Sequence, residues 1–328
     1  MIVNLRVGLL GMGRIASGFD SPDGPDIYTH LKGILADPRF SLIAVADADV
    51  ARAANELHRF GVVSDVVTPD ALLAAELDVI CIATPDETHL GFAERALSGT
   101  ARLVLIEKPL TGDAARRRQL MAAMDARGKS VAVNHLRRWI PGLTDWLTDA
   151  GNGNFGEPVS AVAYYTRGFR HNGVHALDLV AACLGAVVRS VTSLADPVDD
   201  LSSDDMTRSL HVSLDVGGTI VPFILIAVDG RYQTAFDLDI RFSNASVHVF
   251  DQDGVRAALS RAVGPTQPGF SPELKTISMY HDSPAQLPKL LWKNIADHLE
   301  DGSSLLCDGT TALVAYDFAD SILEHLPR

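Results

Sequence analysis

One short segment constrains the fold more than any other: GMGRIA, residues 11–16, directly follows the apolar run 3–10. A glycine fingerprint of this spacing after a buried strand is typical of the first βα unit of a dinucleotide-binding domain. Gly11 permits a tight turn, Gly13 lets the backbone approach a pyrophosphate, and Ala16 lets helix and strand pack closely. We expect a helix to open here and offer its N-terminal N–H groups to the phosphates, with a purely structural turn as the alternative.

The residues up to about 135 alternate between apolar strands and helices. The sequence predicts strands at 3–10, 40–47, 77–83, 102–107 and 130–133, and helices at 49–58, 69–76, 87–98 and 112–127. Continuous apolar strands separated by helices indicate a parallel sheet covered on both faces. We therefore expect an α/β chain in which residues 1–135 form a doubly wound, dinucleotide-binding Rossmann domain.

The second half changes to period-two alternation. Predicted strands lie at 159–166, 208–216, 219–228, 234–242 and 246–250, with hairpin turns at Gly217-Gly218 and Asp253-Gly254 and helices at 173–184, 286–300 and 310–325. This pattern favours a large, mostly antiparallel, open-faced sheet with one packed face. We expect residues 136–328 to form an α+β domain for substrate binding and oligomerisation.

Composition excludes several classes of protein. The net charge of −13 and the absence of a basic patch argue against nucleic-acid binding. No uncharged apolar run reaches 18 residues, and the N-terminus lacks the plan of a signal peptide, so we expect no membrane span and a cytoplasmic protein. Cys81, Cys183 and Cys307 have neither disulfide nor zinc spacing, and no cluster with metal-ligand spacing is present.

Asp47 ends the second predicted strand. A carboxylate there accepts hydrogen bonds from the adenosine ribose and repels a 2′-phosphate, so we expect NAD to be preferred over NADP. Asp47 follows Ala16 by 31 residues rather than about 20, and the turn-rich insertion 19–27 accounts for the excess. Asp47 is alternatively an N-cap of the helix 49–58, for which Asp49 competes.

Two other predicted strands end in polar residues followed by proline. Thr84-Pro85 follows the strand 77–83, and Glu107-Lys108-Pro109 ends the strand 102–107. Doubly wound sheets bind ligands at the carboxyl ends of their strands. Because proline restricts the preceding residue to extended backbone, we expect Lys108 to be held at the mouth of the crevice.

Taken together, these motifs resemble the glucose-fructose oxidoreductase / inositol dehydrogenase (Gfo/Idh/MocA) family. The matching segments are GMGRIA at 11–16, ATPDETH at 83–89, EKP at 107–109, RRWIP at 137–141 and NGVHALD at 172–178. The resemblance covers almost the whole chain, and EKP is its most specific element. It implies NAD(P) binding, a sugar or cyclitol substrate, and a homodimer or homotetramer built through the C-terminal sheet.

The resemblance also implies roles for individual residues. Lys108 resembles the family's active-site lysine beside the nicotinamide, and His175 resembles its catalytic histidine. The expected cofactor-binding residues are Gly11, Met12, Gly13, Arg14, Ile15, Asp47, Thr84, Pro85, His89, Glu107, Lys108 and Arg138. The chain departs from the family's Asp-x-Gly-x-His pattern, because His171 replaces the aspartate. His171 is then a second acid or base, a substrate hydrogen-bond donor, or a structural histidine.

Oxidation of a secondary alcohol requires a base that removes the hydroxyl proton near neutral pH. We expect this base to be His175, in the first turn of a helix that begins near Asn172, because the helix dipole there favours the neutral ring. Asp178, on the same helix face, opposes that effect or fixes the tautomer. Lys108 would polarise the reacting oxygen or relay its proton.

Three arginines offer positive charge to a substrate that carries phosphate or a nucleotide. The expected substrate-binding residues are Arg137, Arg167, Arg170, Asn172 and Asp178. For Arg167 and Arg170 a solvated face is an equal alternative.

The sequence thus favours an NAD-dependent oxidoreductase that transfers a hydride at a secondary alcohol or ketone carbon of a sugar, cyclitol or nucleotide-sugar. Two alternatives remain. One is an NAD-binding sensor without turnover, which the replacement of the family aspartate favours. The other is a hydrolase or epimerase that uses bound NAD as an internal hydride shuttle.

Overall fold

The computed structural model describes residues 4–200, 205–251, 254–264 and 271–326. The chain forms two compact units, one of Met1–Trp139 with Pro284–Leu313 and the other of Ile140–Ser283 with Val314–Arg328. The chain first passes from one unit to the other after Trp139, close to the boundary that the sequence predicts at residue 135. The segment 284–313 differs, because the sequence analysis assigns it to the second domain and the structure packs it with the first.

Six parallel strands form the core of the first unit. They are β1 Leu5–Leu10, β2 Phe40–Ala46, β3 Asp65–Val66, β4 Val79–Ile82, β5 Leu103–Ile106 and β6 Ser130–Val133. Their order is β3-β2-β1-β4-β5-β6, and all neighbouring pairs are parallel. The strand order reverses between β1 and β4, which is where sheets of this kind bind ligands. The predicted Rossmann fold is confirmed.

Helices flank both sheets. They are α1 His30–Ala36, α2 Val50–Arg59, α3 Pro69–Ala74, α4 His89–Arg95, α5 Ala114–Asp125, α6 Leu143–Gly151, α7 Val174–Leu184, α8 Leu287–Asp301 and α9 Gly309–Glu324. Side-chain oxygens of Thr29, Asp49, Thr68 and Asp113 cap α1, α2, α3 and α5 by accepting a first-turn N–H. The short α1 is absent from the sequence prediction, since it follows an insertion and spans only two turns.

Helix α8 packs with the first unit, where the side chain of Trp292 is buried. Its fully buried ring packs edge-on against Phe40 of β2, with centroids 5.1 Å apart, and against His30 of α1 at 6.0 Å. A Cβ at Gly33 of α1 would collide with the Trp292 ring. Glycine at this position therefore lets the two helices approach closely.

The second unit contains a mixed sheet of eight strands. They are β7 Pro158–Tyr165, β8 Val187–Ser193, β9 Leu210–Val216, β10 Thr219–Ala227, β11 Phe236–Phe242, β12 Ala245–Phe250, β13 Val255–Val263 and β14 Glu273–Asp282. The order is β14-β13-β12-β11-β7-β10-β9-β8, and only the β7–β10 pair is parallel among these described strands. The predicted mostly antiparallel sheet is confirmed, with β8, β13 and β14 as additions.

One hairpin turn of this sheet behaves as its glycines require. Gly217 and Gly218, with φ of +59° and +94°, connect β9 to β10 in the left-handed conformations of a tight hairpin turn. At the other predicted turn, Asp253 lies outside the described residues. Among the helices that the structure describes, none has the length and apolar character needed to cross a bilayer.

Candidate active site

The glycine turn leaves β1 at the ligand-binding edge of the sheet. Gly11 has φ +89°, and a Cβ there would collide with the carbonyl group of Ala83, so only glycine fits. Gly13 has an ordinary φ of −80°, and a Cβ on it would meet no described atom within 4 Å. The protein therefore leaves open space beside Gly13, as close approach of a pyrophosphate requires.

The segment after the glycines is shorter than predicted. Arg14–Gly18 is a single π-helical turn, in which the amides of Ser17 and Gly18 both donate to the Gly13 carbonyl oxygen. The helix that the sequence predicts here is therefore limited to this one turn, because the insertion follows it directly. Asp20, near the start of that insertion, is buried and accepts hydrogen bonds from the Thr29 amide and hydroxyl just beyond its end.

Asp47 is anchored by four donors. Its Oδ2 accepts from the Met12 amide (2.6 Å) and Arg52 Nε (3.3 Å), and its Oδ1 accepts from the Asp49 amide (2.7 Å) and Arg52 Nη2 (2.5 Å). Burial raises the pKa of Asp47, but these donors outweigh it and hold the pKa below its ordinary value. Asp49, not Asp47, caps α2. Asp47 thus links the glycine turn to β2 as a carboxylate, with Arg52 beside it.

His89 braces the two loops that follow β4 and β5. Its ring is fully buried, with Nδ1 3.0 Å from the Pro109 carbonyl oxygen and Nε2 2.8 Å from the Thr84 carbonyl oxygen. A ring enclosed in this way positions the backbone of Thr84-Pro85 and does not present a nitrogen to a ligand. The geometry therefore favours a supporting role for His89 over the cofactor contact implied by the resemblance.

A buried ion pair lies at the end of β5. Glu107 Oε1 is 2.7 Å from His30 Nε2 and 2.5 Å from Asn134 Nδ2, and all three residues are buried. Burial lowers the pKa of His30, but the neighbouring Cys81 and the Glu107 carboxylate raise it to about 10. Burial raises the pKa of Glu107, but His30, Asn134 and Lys108 together hold it below its ordinary value. The pair is therefore charged at neutral pH.

The sequence analysis missed His30 and Asn134. Asn134 directly follows β6, so its strand-end position is a signal of the kind that identified Thr84 and Lys108. His30 carries no such signal, because it begins a helix that the sequence pattern does not predict.

Lys108 lies where the EKP motif predicts, directly after Glu107 at the carboxyl end of β5. Its side chain is half-buried, and its amide donates to Glu107 Oε2 at 3.2 Å. The Lys108–Pro109 peptide bond is cis. Two further candidates, Arg137 and Arg138, share the 3-10 turn Leu136–Trp139 that follows β6, and Arg138 is buried whereas Arg137 is half-buried.

In the second unit, the candidate base His175 is the second residue of α7. It is buried, and its ring packs edge-on against Phe236 of β11 with centroids 6.4 Å apart. Asp178, one turn later, is also buried. The helix that we expected to begin near Asn172 begins at Val174: a π-helical turn at Phe169–Gly173 precedes it, and Gly173, not Asn172, occupies the cap position.

Two buried or half-buried carboxylates hold the loop that carries the other candidates. Asp200 Oδ2 accepts a hydrogen bond from the Arg167 amide (2.6 Å). Arg167 has φ +64°, a strained conformation for a residue with a side chain. Asp205 accepts the His171 amide (2.7 Å). Arg170 pairs with Asp320 of α9 at 2.7 Å, so this arginine has an internal partner as well as a half-exposed side chain.

The candidate residues fall into one group in each unit. The first unit holds Gly11, Met12, Gly13, Arg14, Ile15, Asp47, Thr84, Pro85, His89, Glu107, Lys108, Arg137 and Arg138, and the second holds Arg167, Arg170, His171, Asn172, His175 and Asp178. The first group fits a nicotinamide dinucleotide, because it combines the space beside Gly13 with the carboxylate of Asp47 on one sheet edge.

Comparison with known proteins agrees with this geometry. Residues 5–135 match the model of the Gfo/Idh/MocA oxidoreductase family, described as an NAD-binding Rossmann fold. The inositol 2-dehydrogenase of Rhizobium meliloti (strain 1021) is 25% identical over 99% of this chain and 97% of its own length. The UDP-N-acetylglucosamine 3-dehydrogenase of Acidithiobacillus ferrooxidans is 33% identical over 76% of this chain and 78% of its own length.

A solved structure shows the same fold over the whole chain. The crystal structure of the UDP-N-acetylglucosamine 3-dehydrogenase from Acidithiobacillus ferrooxidans superimposes with a TM-score of 0.76 at 21% identity. The match covers 99% of this chain and 98% of the other.

Proposed function

Because the chain belongs to the Gfo/Idh/MocA oxidoreductase family, whose nucleotide-binding domain is an NAD-binding Rossmann fold, we propose that it oxidises or reduces a sugar-like substrate with NAD. The reacting group is a secondary alcohol or ketone carbon of a sugar, cyclitol or nucleotide-sugar. Relatives named as an inositol dehydrogenase and a UDP-N-acetylglucosamine dehydrogenase support this class. The observation that carries the proposal is Lys108 at the carboxyl end of β5, on the sheet edge that bears the glycine turn.

The chain's own residues supply the proton chemistry. Bound NAD would supply the hydride acceptor for the reacting carbon. His175 takes the hydroxyl proton in the oxidative direction, as the base that this reaction needs. Lys108, at the carboxyl end of β5, donates a hydrogen bond that stabilises negative charge developing on a substrate oxygen. In the reductive direction His175 returns the proton.

The choice of coenzyme rests on Asp47 and Arg52. The Asp47 carboxylate, held ionised at the end of β2, suits the ribose hydroxyls of NAD and disfavours a 2′-phosphate. Arg52 partly offsets that repulsion because it pairs with Asp47 and its side chain is 49% exposed. We therefore propose that NAD is preferred and that NADP binds more weakly.

We test this function by adding the protein and NAD⁺ to a panel of cyclitols, hexoses and nucleotide-sugars and following NADH absorbance. Steady NADH formation with one class identifies the substrate and supports the proposal. NADH binding without any turnover would favour the sensor, and a single turnover without net NADH would favour an internal hydride shuttle. Failure to bind NADH or NADPH would contradict all three, and a matched NADPH titration ranks the coenzymes.

We also propose a homodimer or homotetramer formed through the open face of the second sheet. Side chains alternate along a strand, and on the face opposite buried Ala163 and Phe223 the strands β7 and β10 present Tyr164, Ile224 and Ile226. Tyr164 is 46% exposed. Such an apolar patch is typical of an interface between subunits.

The double variant Ile224→Asp/Ile226→Asp is expected to be monomeric, because it buries two carboxylates in that interface. Sedimentation equilibrium measures the mass, and Val63→Asp, at a 99% exposed position in the first unit, is the matched control. An unchanged assembly in the double variant would contradict the proposed interface.

A cytoplasmic location is proposed as well, because Cys81, Cys183 and Cys307 are all buried and form no disulfide among the described residues.

A further inference from the structure

The His30–Glu107 ion pair is buried inside the nucleotide-binding unit. Both side chains are buried, with exposed fractions of 2% and 7%, and their closest atoms are 2.7 Å apart. A buried ion pair adds little net stability, because the loss of hydration offsets most of the attraction between the charges. The pair therefore invites an explanation other than stability.

The position of the pair offers that explanation. Glu107 divides its two oxygens: Oε1 faces His30 and Asn134, whereas Oε2 accepts the amide of Lys108 at 3.2 Å. The carboxylate thus fixes the main chain of the residue on which the proposed function rests. Three elements converge on it, namely the start of α1, the end of β5 and the end of β6.

The charge of Glu107 also acts on Lys108. The Lys108 ammonium contributes to the lowered pKa of Glu107, after the stronger effects of burial, His30 and Asn134. Electrostatic coupling between two groups is reciprocal, so the carboxylate must favour the charged form of Lys108 by the same free energy. His30 favours the ionised form of this carboxylate against the opposing effect of burial.

We propose that His30 and Glu107 form a positioning pair: Glu107 fixes the main chain of Lys108, and its carboxylate favours the charged form of the Lys108 side chain. Cys81 on β4 and Asn134 after β6 also face the pair. The inference rests on the proposed role of Lys108, but the charge state of Lys108 is measured without any substrate.

The pair has a defined pH window. His30 has a folded pKa of about 10, above its ordinary 6.5, so its contribution to stability is complete below pH 6.5 and lost as pH rises through about 10. Glu107 has a lowered pKa, so its contribution is present above 4.5 and lost as pH falls through the folded value. Both residues contribute at neutral pH.

The experiment titrates Lys108 by NMR in protein labelled with [ε-¹³C]lysine. The chain has six lysines, and the Lys108 signal is the one lost in Lys108→Arg. We expect Glu107→Gln to lower the pKa of Lys108 by about one unit and the midpoint of thermal unfolding by about 5–10 °C. The double variant His30→Gln/Glu107→Gln should recover most of that midpoint, since neither charge is left alone, yet keep the lowered Lys108 pKa.

Glu94→Gln is the matched control, because it changes the net charge equally and its partner is Arg116 on an exposed surface. An unchanged Lys108 pKa in Glu107→Gln would overturn the proposal. The proposal would also be overturned if the Lys108 pKa and the midpoint of thermal unfolding both returned to their wild-type values in the double variant. The change in the Lys108 pKa would then follow from stability alone. Failure of the wild-type protein to bind NADH would instead count against the proposed function.

Discussion

Replacing Lys108 with methionine is expected to lower turnover about 10²–10⁴-fold while NADH affinity stays within about threefold of wild type. Methionine keeps the length of the side chain and removes its charge and its protons. The reacting oxygen then loses a donor that strengthens as negative charge develops, whereas the dinucleotide is held mainly by the glycine turn and Asp47. Steady-state kinetics with the substrate found in the panel measure the first effect, and NADH fluorescence measures the second.

Lys289→Met is the control for this prediction, because Lys289 lies on the exposed surface of α8. It should keep full activity. His175→Asn should lose turnover to a similar extent, since asparagine cannot accept the hydroxyl proton. Wild-type turnover in Lys108→Met would remove Lys108 from the reaction, and wild-type turnover in both variants would refute the proposed site.

Replacing Gly13 with alanine is expected to weaken NADH binding about 10–100-fold and leave stability unchanged. The φ of −80° suits alanine, and its methyl group would meet no described atom within 4 Å. The cost appears only when a pyrophosphate needs that space, where overpacking costs about 1–3 kcal/mol. Fluorescence titration measures the affinity, and urea unfolding measures the stability.

Gly11→Ala provides the contrast, because its defect lies in the protein itself. The φ of +89° and the collision with Ala83 should lower the free energy of unfolding by about 2–5 kcal/mol. Gly91→Ala, on α4 with no described atom near its Cβ, should leave NADH binding unchanged and raise the free energy of unfolding by up to about 1 kcal/mol. If Gly13→Ala binds NADH as tightly as wild type, the space beside Gly13 does not hold the pyrophosphate.

Local patterns determined much of this protein. The alternation of apolar strands and helices predicted the Rossmann sheet because each buried parallel strand must be apolar along its whole length. The period-two segments predicted the second sheet for the converse reason, since only one of its faces is buried. GMGRIA and Glu107-Lys108-Pro109 marked strand ends because their glycine and proline chemistry is local.

The tertiary structure decided what depends on contacts between distant residues. Nothing near His30 in the sequence indicates that it meets Glu107, 77 residues away, because burial and ion pairing arise only when α1 packs over the sheet. Trp292 likewise returns α8 to the first unit by filling a site made by Phe40 and Gly33. Periodicity specifies which face of a helix or strand is buried, but only tertiary packing specifies which residues that face contacts. The partners of a buried charge are therefore decided by the tertiary structure.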